Sequence, residues 1–305
     1  MIQLGIQTGG AENVLGTDKT YELIRSCGFT AADVNLDRLF PNMQVKAWER
    51  SPHFEGSDEE ILERFRPWKD AAQKHGIVNY QAHAPFPSYM PDPSDEYNDY
   101  LTDVLKKTIM GCASIGCRRL VIHPYYLQYD EQMDAQTEWN VNMERFAMLI
   151  PTAKQYGVKL LLENMIIRYR NSRYLGTCCS NAEMACRYVD SLNELAGEDL
   201  FAFCVDTGHL LLAGLDLKHF IVTLGHRIEA FHVHDNDGVF DQHIAPYMGI
   251  LDWDRFTEAL KEIGYDKTLC FETFGIWSKV DHELCPDMMR FIAETGKMFA
   301  RRIEK

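Results

Sequence analysis

Eight short apolar runs recur along this chain, each followed by a longer stretch of helical periodicity, and that alternation limits the fold more than any other feature. The runs are LGIQTG (4–9), AADVNL (31–36), NYQAHA (79–84), RLVIHP (119–124), KLLLEN (159–164), FAFCVDT (201–207), IEAFHVHD (228–235) and TLCFETF (268–274). Helical patterns lie near 17–27, 58–75, 95–115, 138–156, 181–196, 216–225, 253–263 and 287–302. LVI, LLL and FAFCV are unbroken rather than alternating, as expected of strands covered on both faces. Several helical patterns stop at a glycine (Gly28, Gly76, Gly116, Gly157, Gly264) just before the next run, and glycine readily takes the left-handed turn that ends a helix. Eight such units, with no second composition regime, predict an α/β fold: one (β/α)₈ TIM-barrel domain over residues 1–305. An open doubly wound sheet is the rival, but no glycine-rich phosphate loop follows the first run. Segment 37–57, with Pro41, Trp48, Pro52 and His53, reads as a loop inserted after the second strand and as a candidate lid.

The apolar runs share a second property: they end in metal-type side chains. The third and fourth end at His83 and His123, the fifth at Glu163, the sixth at Asp206 with His209 just beyond, the seventh at His232 and the eighth at Glu272. Buried carboxylates and imidazoles are costly unless they are paired or hold a cation. Barrel active sites are built at the C-terminal strand ends, where these residues fall. Glu163, Asp206, His232 and Glu272, from four adjacent strands, make a hard and mostly oxygen set suited to Mn²⁺, Zn²⁺ or Mg²⁺. His83 and His123 adjoin Glu163 and are read as ligands of a further metal ion or as substrate contacts. His209 lies one helical turn past Asp206, and Asp241 and His243 alternate in a loop, so these three can meet at the same mouth. His234 alternates with His232 and is read as facing away. His53, His75, His219, His226 and His282 fall on helices or loops and are read as solvated.

Composition narrows the partners. The formal net charge is −14, from 45 acidic and 31 basic residues, which leans against a general nucleic-acid-coating role while leaving a local basic groove open. MIQLGIQTGG has no basic n-region or long apolar core, so no signal peptide is expected, and no stretch approaches the roughly 20 apolar residues of a membrane span. Nine cysteines lie scattered without zinc-ribbon spacing, and the adjacent Cys178 and Cys179 are the redox candidates. The reading is a reduced, cytoplasmic protein, with homo-oligomerisation left open. Phe86, Tyr125, Phe274 and Trp277 fall near the predicted mouth and are candidates to line a binding cavity. Arg168 and Arg170 are candidates for a substrate phosphate or carboxylate.

The strand-end motifs resemble the sugar phosphate isomerase/epimerase superfamily, the xylose-isomerase-like barrels that also include endonuclease IV. They are HAP (83–85), HP (123–124), EN (163–164), DTGH (206–209), HVHDNDG (232–238), DQHIAPYMGILDW (241–253) and ET (272–273). The resemblance runs from the first strand to about residue 275. It implies a metal-dependent isomerase or epimerase in which Glu163, Asp206, His232 and Glu272 hold one divalent cation, as in ketose 3-epimerases. There the two glutamates also serve as acid and base on opposite faces of an enediolate, and His209 binds a substrate oxygen. Two positions depart from those epimerases: Gly238 stands where they carry arginine, and Tyr169 where they carry a second glutamate. Another aldose–ketose isomerisation, epimerisation or inosose-type dehydration fits the remaining pattern. Endonuclease IV implies three zinc ions, on His83, His123 and Glu163; on Glu163, Asp206, His232 and Glu272; and on His209, Asp241 and His243. All nine residue types are present, although Tyr247 replaces its first glycine after the DxH motif. A non-catalytic sugar-binding barrel would have no use for Glu163 and Glu272 paired beside a metal.

Overall fold

The chain is described by a computed structural model over residues 2–92, 94–127, 133–169 and 173–305. Its strands, in chain order, are β1 (Leu4–Gln7), β2 (Ala31–Asn35), β3 (Val78–His83), β4 (Arg119–Ile122), β5 (Lys159–Glu163), β6 (Ile166–Tyr169), β7 (Arg173–Gly176), β8 (Phe201–Asp206), β9 (Ile228–His232) and β10 (Leu269–Phe271). Eight of them form one parallel sheet in the order β10-β1-β2-β3-β4-β5-β8-β9, with helices between them. Beyond the last ladder, Val233 N–H donates to Cys270 O (2.9 Å) and Glu272 N–H to Val233 O (3.1 Å), so β9 and β10 meet and the barrel is nearly closed. Every apolar run of the sequence is one of these eight strands.

The burial pattern accounts for the unbroken runs. Phe201–Asp206 is buried at all six positions. One side of the sheet packs small interior layers, Val121, Leu161, Ala202, Cys204 and Ala230 in one and Ala31, Tyr80 and Cys270 in another. The other side faces the helices. The helix Asp58–His75 is typical: Ser57 and Glu60 cap each other's backbone N–H groups, and Ile61, Phe65, Trp68, Ala71 and Ala72 turn inward. It stops at Gly76, whose φ of +64° is the left-handed turn that favours glycine.

Three local features depart from the expected pattern. The stretch at 138–156 is two helices, Ala135–Ala147 and Ile150–Tyr156, because Pro151 sits in the first turn of the second and cannot donate into the first. Strands β6 and β7 form an antiparallel hairpin just past Glu163 that the apolar pattern did not announce. Segment 37–57 is a packed wall, with Phe40, Val45 and Phe54 buried and Glu49 O accepting the Tyr97 hydroxyl at 2.6 Å. Among the described residues no helix is long and apolar enough to cross a membrane.

The N-terminal end of the barrel is sealed by charge. Glu229 accepts from Arg119 Nε at 2.8 Å and Lys267 Nζ at 2.5 Å, and the Arg119 guanidinium lies 4.1 Å over the Tyr80 ring. Burial raises the Glu229 pKa, but the two cations outweigh it and hold the carboxyl below its ordinary value. A depressed folded pKa contributes stability above the unfolded value of about 4.3, and that contribution is lost as pH falls through the folded value. Glu229→Gln should therefore cost about 1–3 kcal/mol at neutral pH. The gap from wild type should close on acidification below about pH 4. Urea unfolding at several pH values checks this, and a gap that persists in acid would remove the ion pair as its source.

Candidate metal centre

The motifs at the C-terminal strand ends hold one another in place. Asp206 ends β8 and caps the helix Thr207–Leu212, its Oδ1 accepting His209 N–H at 2.7 Å. Thr207 Oγ1 accepts His234 N–H at 3.0 Å and donates to His234 O at 2.8 Å. Gly208 is required by contact: a Cβ there would lie 2.0 Å from His234 Cε1. Asp235 anchors the following loop by accepting N–H groups of Asn236, Tyr247 and Leu251 and the Trp253 indole N–H, at 2.9–3.1 Å. That loop delivers Asp241 and His243 to the mouth. Tyr247 in that loop has a φ of +70°, a left-handed turn taken by a residue other than glycine.

All nine sequence-selected residues fall in three groups, with Glu163 in two of them, and a further group brings His234 together with His243 and Glu272. In the first, His83 Nε2 lies 3.1 Å from His123 Nε2, and Glu163 Oε2 lies 3.7 Å and 3.4 Å from these two atoms. In the second, His232 Nδ1 lies 3.0 Å from Glu163 Oε1, 3.6 Å from Glu272 Oε2 and 4.0 Å from Asp206 Oδ2. In the third, Asp241 Oδ2 lies 3.6 Å from His209 Nε2 and 3.2 Å from His243 Nε2. Donor atoms bound about 2.1 Å from a common ion stand roughly 3.0–3.4 Å apart, so these spacings are close to those of coordination shells.

The tautomers point the same way. His83 Nδ1 faces Ala84 O at 2.8 Å, His209 Nδ1 faces Asn164 O at 2.9 Å and His243 Nδ1 faces Glu272 O at 3.2 Å. Carbonyls only accept, so each Nδ1 carries the proton and each Nε2 is turned toward its group. Glu163 Oε2 and Asp241 Oδ1 are sealed from solvent without a hydrogen-bond partner, as befits oxygens that accept from a cation. Without metal, protons hold the cluster together. Burial raises the Glu163 pKa, but His232, His123 and His83 keep it well below the ordinary range. Burial opposes charge on His83 and His209, but the carboxylates push them up to about 9 and about 10.

Several supporting residues carry little sequence signal. Asp33 Oδ2, on β2, lies 3.2 Å from His232 Nε2 and accepts Gln81 Nε2 at 2.9 Å, so the ring is held from behind. Gln7 Nε2 donates to Glu272 Oε1 at 2.6 Å, and Asn164 exchanges two 2.9 Å bonds with the Asp206 backbone. Polarity inside an apolar run is all that marks them. His234 does not face away as alternation suggested. The strand ends at His232, and His234 Nε2 turns back to within 3.0 Å of both Asp206 oxygens.

Over the centre opens a cavity of about 780 Å³. Phe86, Tyr174, Phe274 and Trp277 line it, with Gln7, Asn13, Asn35, Asp37 and Asn42 on the polar side. Tyr125 is a correction: it is fully buried against Phe146 and belongs to the core, while its neighbour Tyr126 lines the cavity. Arg168 lines the mouth, its guanidinium 5.6 Å over the Phe240 ring; Arg170 lies outside the described residues. The Cys178 and Cys179 sulfurs are buried 3.9 Å apart, and burial pushes the Cys178 thiol up, away from reactivity. His53, His219, His226 and His282 are exposed, and half-buried His75 pairs with Asp18 at 3.0 Å.

The sequence matches the model of the xylose isomerase-like TIM barrel family over residues 21–294. The chain belongs to this family. Two relatives are an uncharacterised protein of Methanocaldococcus jannaschii, 26% identical over 71% of this chain and 72% of that one, and a probable endonuclease 4 of Moorella thermoacetica, 21% identical over 60% and 64%. Among solved structures, a putative xylose isomerase from Rhodospirillum rubrum superposes with a TM-score of 0.74 at 18% identity, covering 98% of this chain and 99% of that one. An L-ribulose 3-epimerase gives 0.70 at 17% identity, covering 100% and 96%. The IolI protein, solved with zinc bound, gives 0.64 at 20%, covering 99% and 98%. At these identities the xylose isomerase-like barrel is what is shared.

In this family member two substitutions test the supporting residues. Asp33→Asn should weaken divalent-metal affinity about 10–100-fold, the usual cost of losing a carboxylate behind a metal-binding histidine. Calorimetric Zn²⁺ titration checks it, and an unchanged Kd would remove Asp33 from the centre. Gly208→Ala should displace His234 from Asp206 and lower both melting temperature and metal affinity; wild-type values for both would refute the contact argument.

Proposed function

We propose that this protein is a divalent-metal-dependent isomerase or epimerase of a small sugar, polyol or sugar derivative. The observation that carries this reading is the placement of Glu163 and Glu272. Glu163 ends β5 and Glu272 follows β10, with β8 and β9 between them, and both enter one cavity with their oxygens within 4.8 Å of those of Asp206 and the nitrogen of His232. Those four residues would hold Mn²⁺, Zn²⁺ or Mg²⁺, with His83 and His123, and His209, Asp241 and His243, available for further ions or for substrate hydroxyls. The metal, when bound, supplies positive charge that stabilises the enediolate formed as a carbon beside the carbonyl loses its proton. Glu272 serves as the base that removes that proton, and Glu163 stands on the facing side. His209 is placed to contact a substrate oxygen. The aromatic rings of Phe86, Phe274 and Trp277 offer apolar faces for a sugar's C–H surface, and the cavity volume of about 780 Å³ suits a monosaccharide or a slightly larger derivative.

Purified protein should contain stoichiometric divalent ion, and added Zn²⁺ or Mn²⁺ should raise the melting temperature; at 100 times Kd the gain is about 2.7 kcal/mol. Neither result appearing would sink the proposal. In D₂O, one of a panel of ketoses (D-tagatose, D-fructose, D-psicose, L-ribulose) or an inosose should take up solvent deuterium beside its carbonyl, and Glu272→Gln should abolish the uptake. Persistent exchange in that variant would remove Glu272 as the base.

A second reading is supported by the completeness of the nine-residue set and by the distant endonuclease 4 relative: hydrolysis at abasic DNA by three zinc ions. The net charge of −14 opposes it, and Arg38 at the mouth is tied to buried Glu12 at 3.2 Å rather than free for a phosphate backbone. Incision of an abasic-site oligonucleotide would reverse the ranking.

A further inference from the structure

Four carboxylates among the described residues line the cavity: Asp37, Glu163, Asp241 and Glu272. Three of them belong to the ligand groups, and Asp37 alone does not. It begins the short turn Asp37–Leu39 that follows β2, where its backbone N–H donates to Asn35 Oδ1 at 2.8 Å. Its Oδ1 is sealed from solvent without a hydrogen-bond partner. An orphaned carboxyl oxygen is expensive to keep, and such groups concentrate where function uses them. No arginine or lysine lies within ion-pair distance of it among the described residues, although Arg38 is its neighbour in sequence and pairs with Glu12 instead.

We propose that Asp37 is a further acid–base residue, which gives a proton to the substrate carbonyl oxygen and takes one from the neighbouring hydroxyl. The proposal rests on the isomerase reading above and deepens it. Glu272 takes the proton from the carbon beside the carbonyl. The C–H pair becomes a carbon–carbon double bond, the carbonyl π pair moves to its oxygen, and Asp37 as the acid donates a proton to that oxygen. In the return half, Asp37 as carboxylate takes the proton of the neighbouring hydroxyl and that oxygen re-forms a carbonyl. The double-bond pair then takes the proton back from Glu272 at the other carbon. Both carboxyls finish as they began, so no other reactant is needed.

Such a group must exist in both protonation states near neutrality. Burial pushes the Asp37 carboxyl up, with Glu272 on β10 adding to the rise and His83 on β3 and Asn35 opposing it, to about 7.

The test combines kinetics with a direct titration. In zinc-loaded protein carrying ¹³C-carboxyl aspartate, the resonance lost in Asp37→Asn should titrate between about pH 6 and 8. With whichever sugar of the panel exchanges, Asp37→Asn should slow solvent-deuterium uptake about 10²–10⁴-fold. KM, zinc content and melting temperature should stay near wild type, and the pH profile should lose its ionisation near neutrality. A resonance titrating below about pH 5, or Asp37→Asn exchanging at the wild-type rate, would overturn the assignment. Absence of exchange by wild type on every sugar would count against the isomerase reading itself, and the carboxyl titration would still decide for or against Asp37.

Discussion

The C-terminal half of the barrel depends on how Glu163 is kept charged out of water. Its side chain is 2% exposed, and four imidazoles (His83, His123, His209 and His232) lie within 3.7 Å of its oxygens. A buried carboxylate alone would take up a proton rather than persist as a charge. Here the cage reverses that preference, and most of the imidazoles are in turn held by a group behind them. Ala84 O fixes His83, Asn164 O fixes His209, and Asp33 stands behind His232. The site is therefore one electrostatic unit rather than a collection of ligands. Removing any one member leaves its partners buried and unpaired, which costs more than the lost contact itself.

From that constraint follows the difference between the two ends of the barrel. Interior layers of Val121, Leu161, Ala202, Cys204 and Ala230 separate the cluster from the Glu229–Arg119–Lys267 seal at the other end. The seal pairs one carboxylate with two permanent cations and is satisfied as it stands. The cluster at the mouth pairs carboxylates with imidazoles, whose charge depends on protons that a metal ion can displace. One end is satisfied by its own side chains, and the other keeps a set of donor atoms that could hold a cation.

The sequence was most legible where a single physical rule acts on neighbouring residues. All eight barrel strands follow from two-sided burial, and Gly76 and Gly157 stop their helices with positive φ as expected. The nine ligand-type residues stood out because a titratable side chain at the end of a buried apolar strand is too costly to keep without a partner or a cation. What was not legible depends on contacts distant in sequence. Asp33 reads as an oddity in AADVN until His232, far along the chain on β9, is placed beside it. His234 was misread because alternation holds only while the strand continues, and the strand stops at His232. Tyr125 was assigned to the mouth from its position after a strand end. Instead Asn142 brackets its backbone N–H and C=O at 2.8 Å and 2.7 Å, and the ring packs into the core. The hairpin β6–β7 lacked a signal because short, partly exposed strands carry little apolar pattern.

This division of legibility has a physical consequence for reaction specificity. The floor of the site is set by strand ends, whose positions the barrel's hydrogen bonding dictates and which vary little in geometry. The walls come from segments free of that constraint: 37–42 after β2, 165–168 with Tyr174 after β5, and 274–278 after β10. Gly238 is held in a left-handed turn at φ +77° and does not line the cavity. A guanidinium reaches that loop instead from the hairpin, as Arg168 over Phe240, just beyond Gly238. A cation supplied from a different wall meets a different part of any substrate anchored on the same floor. The chain thus keeps its ligand-type side chains on the floor fixed by the strand ends, while the Arg168 guanidinium and the unligated carboxyl of Asp37 come from the walls.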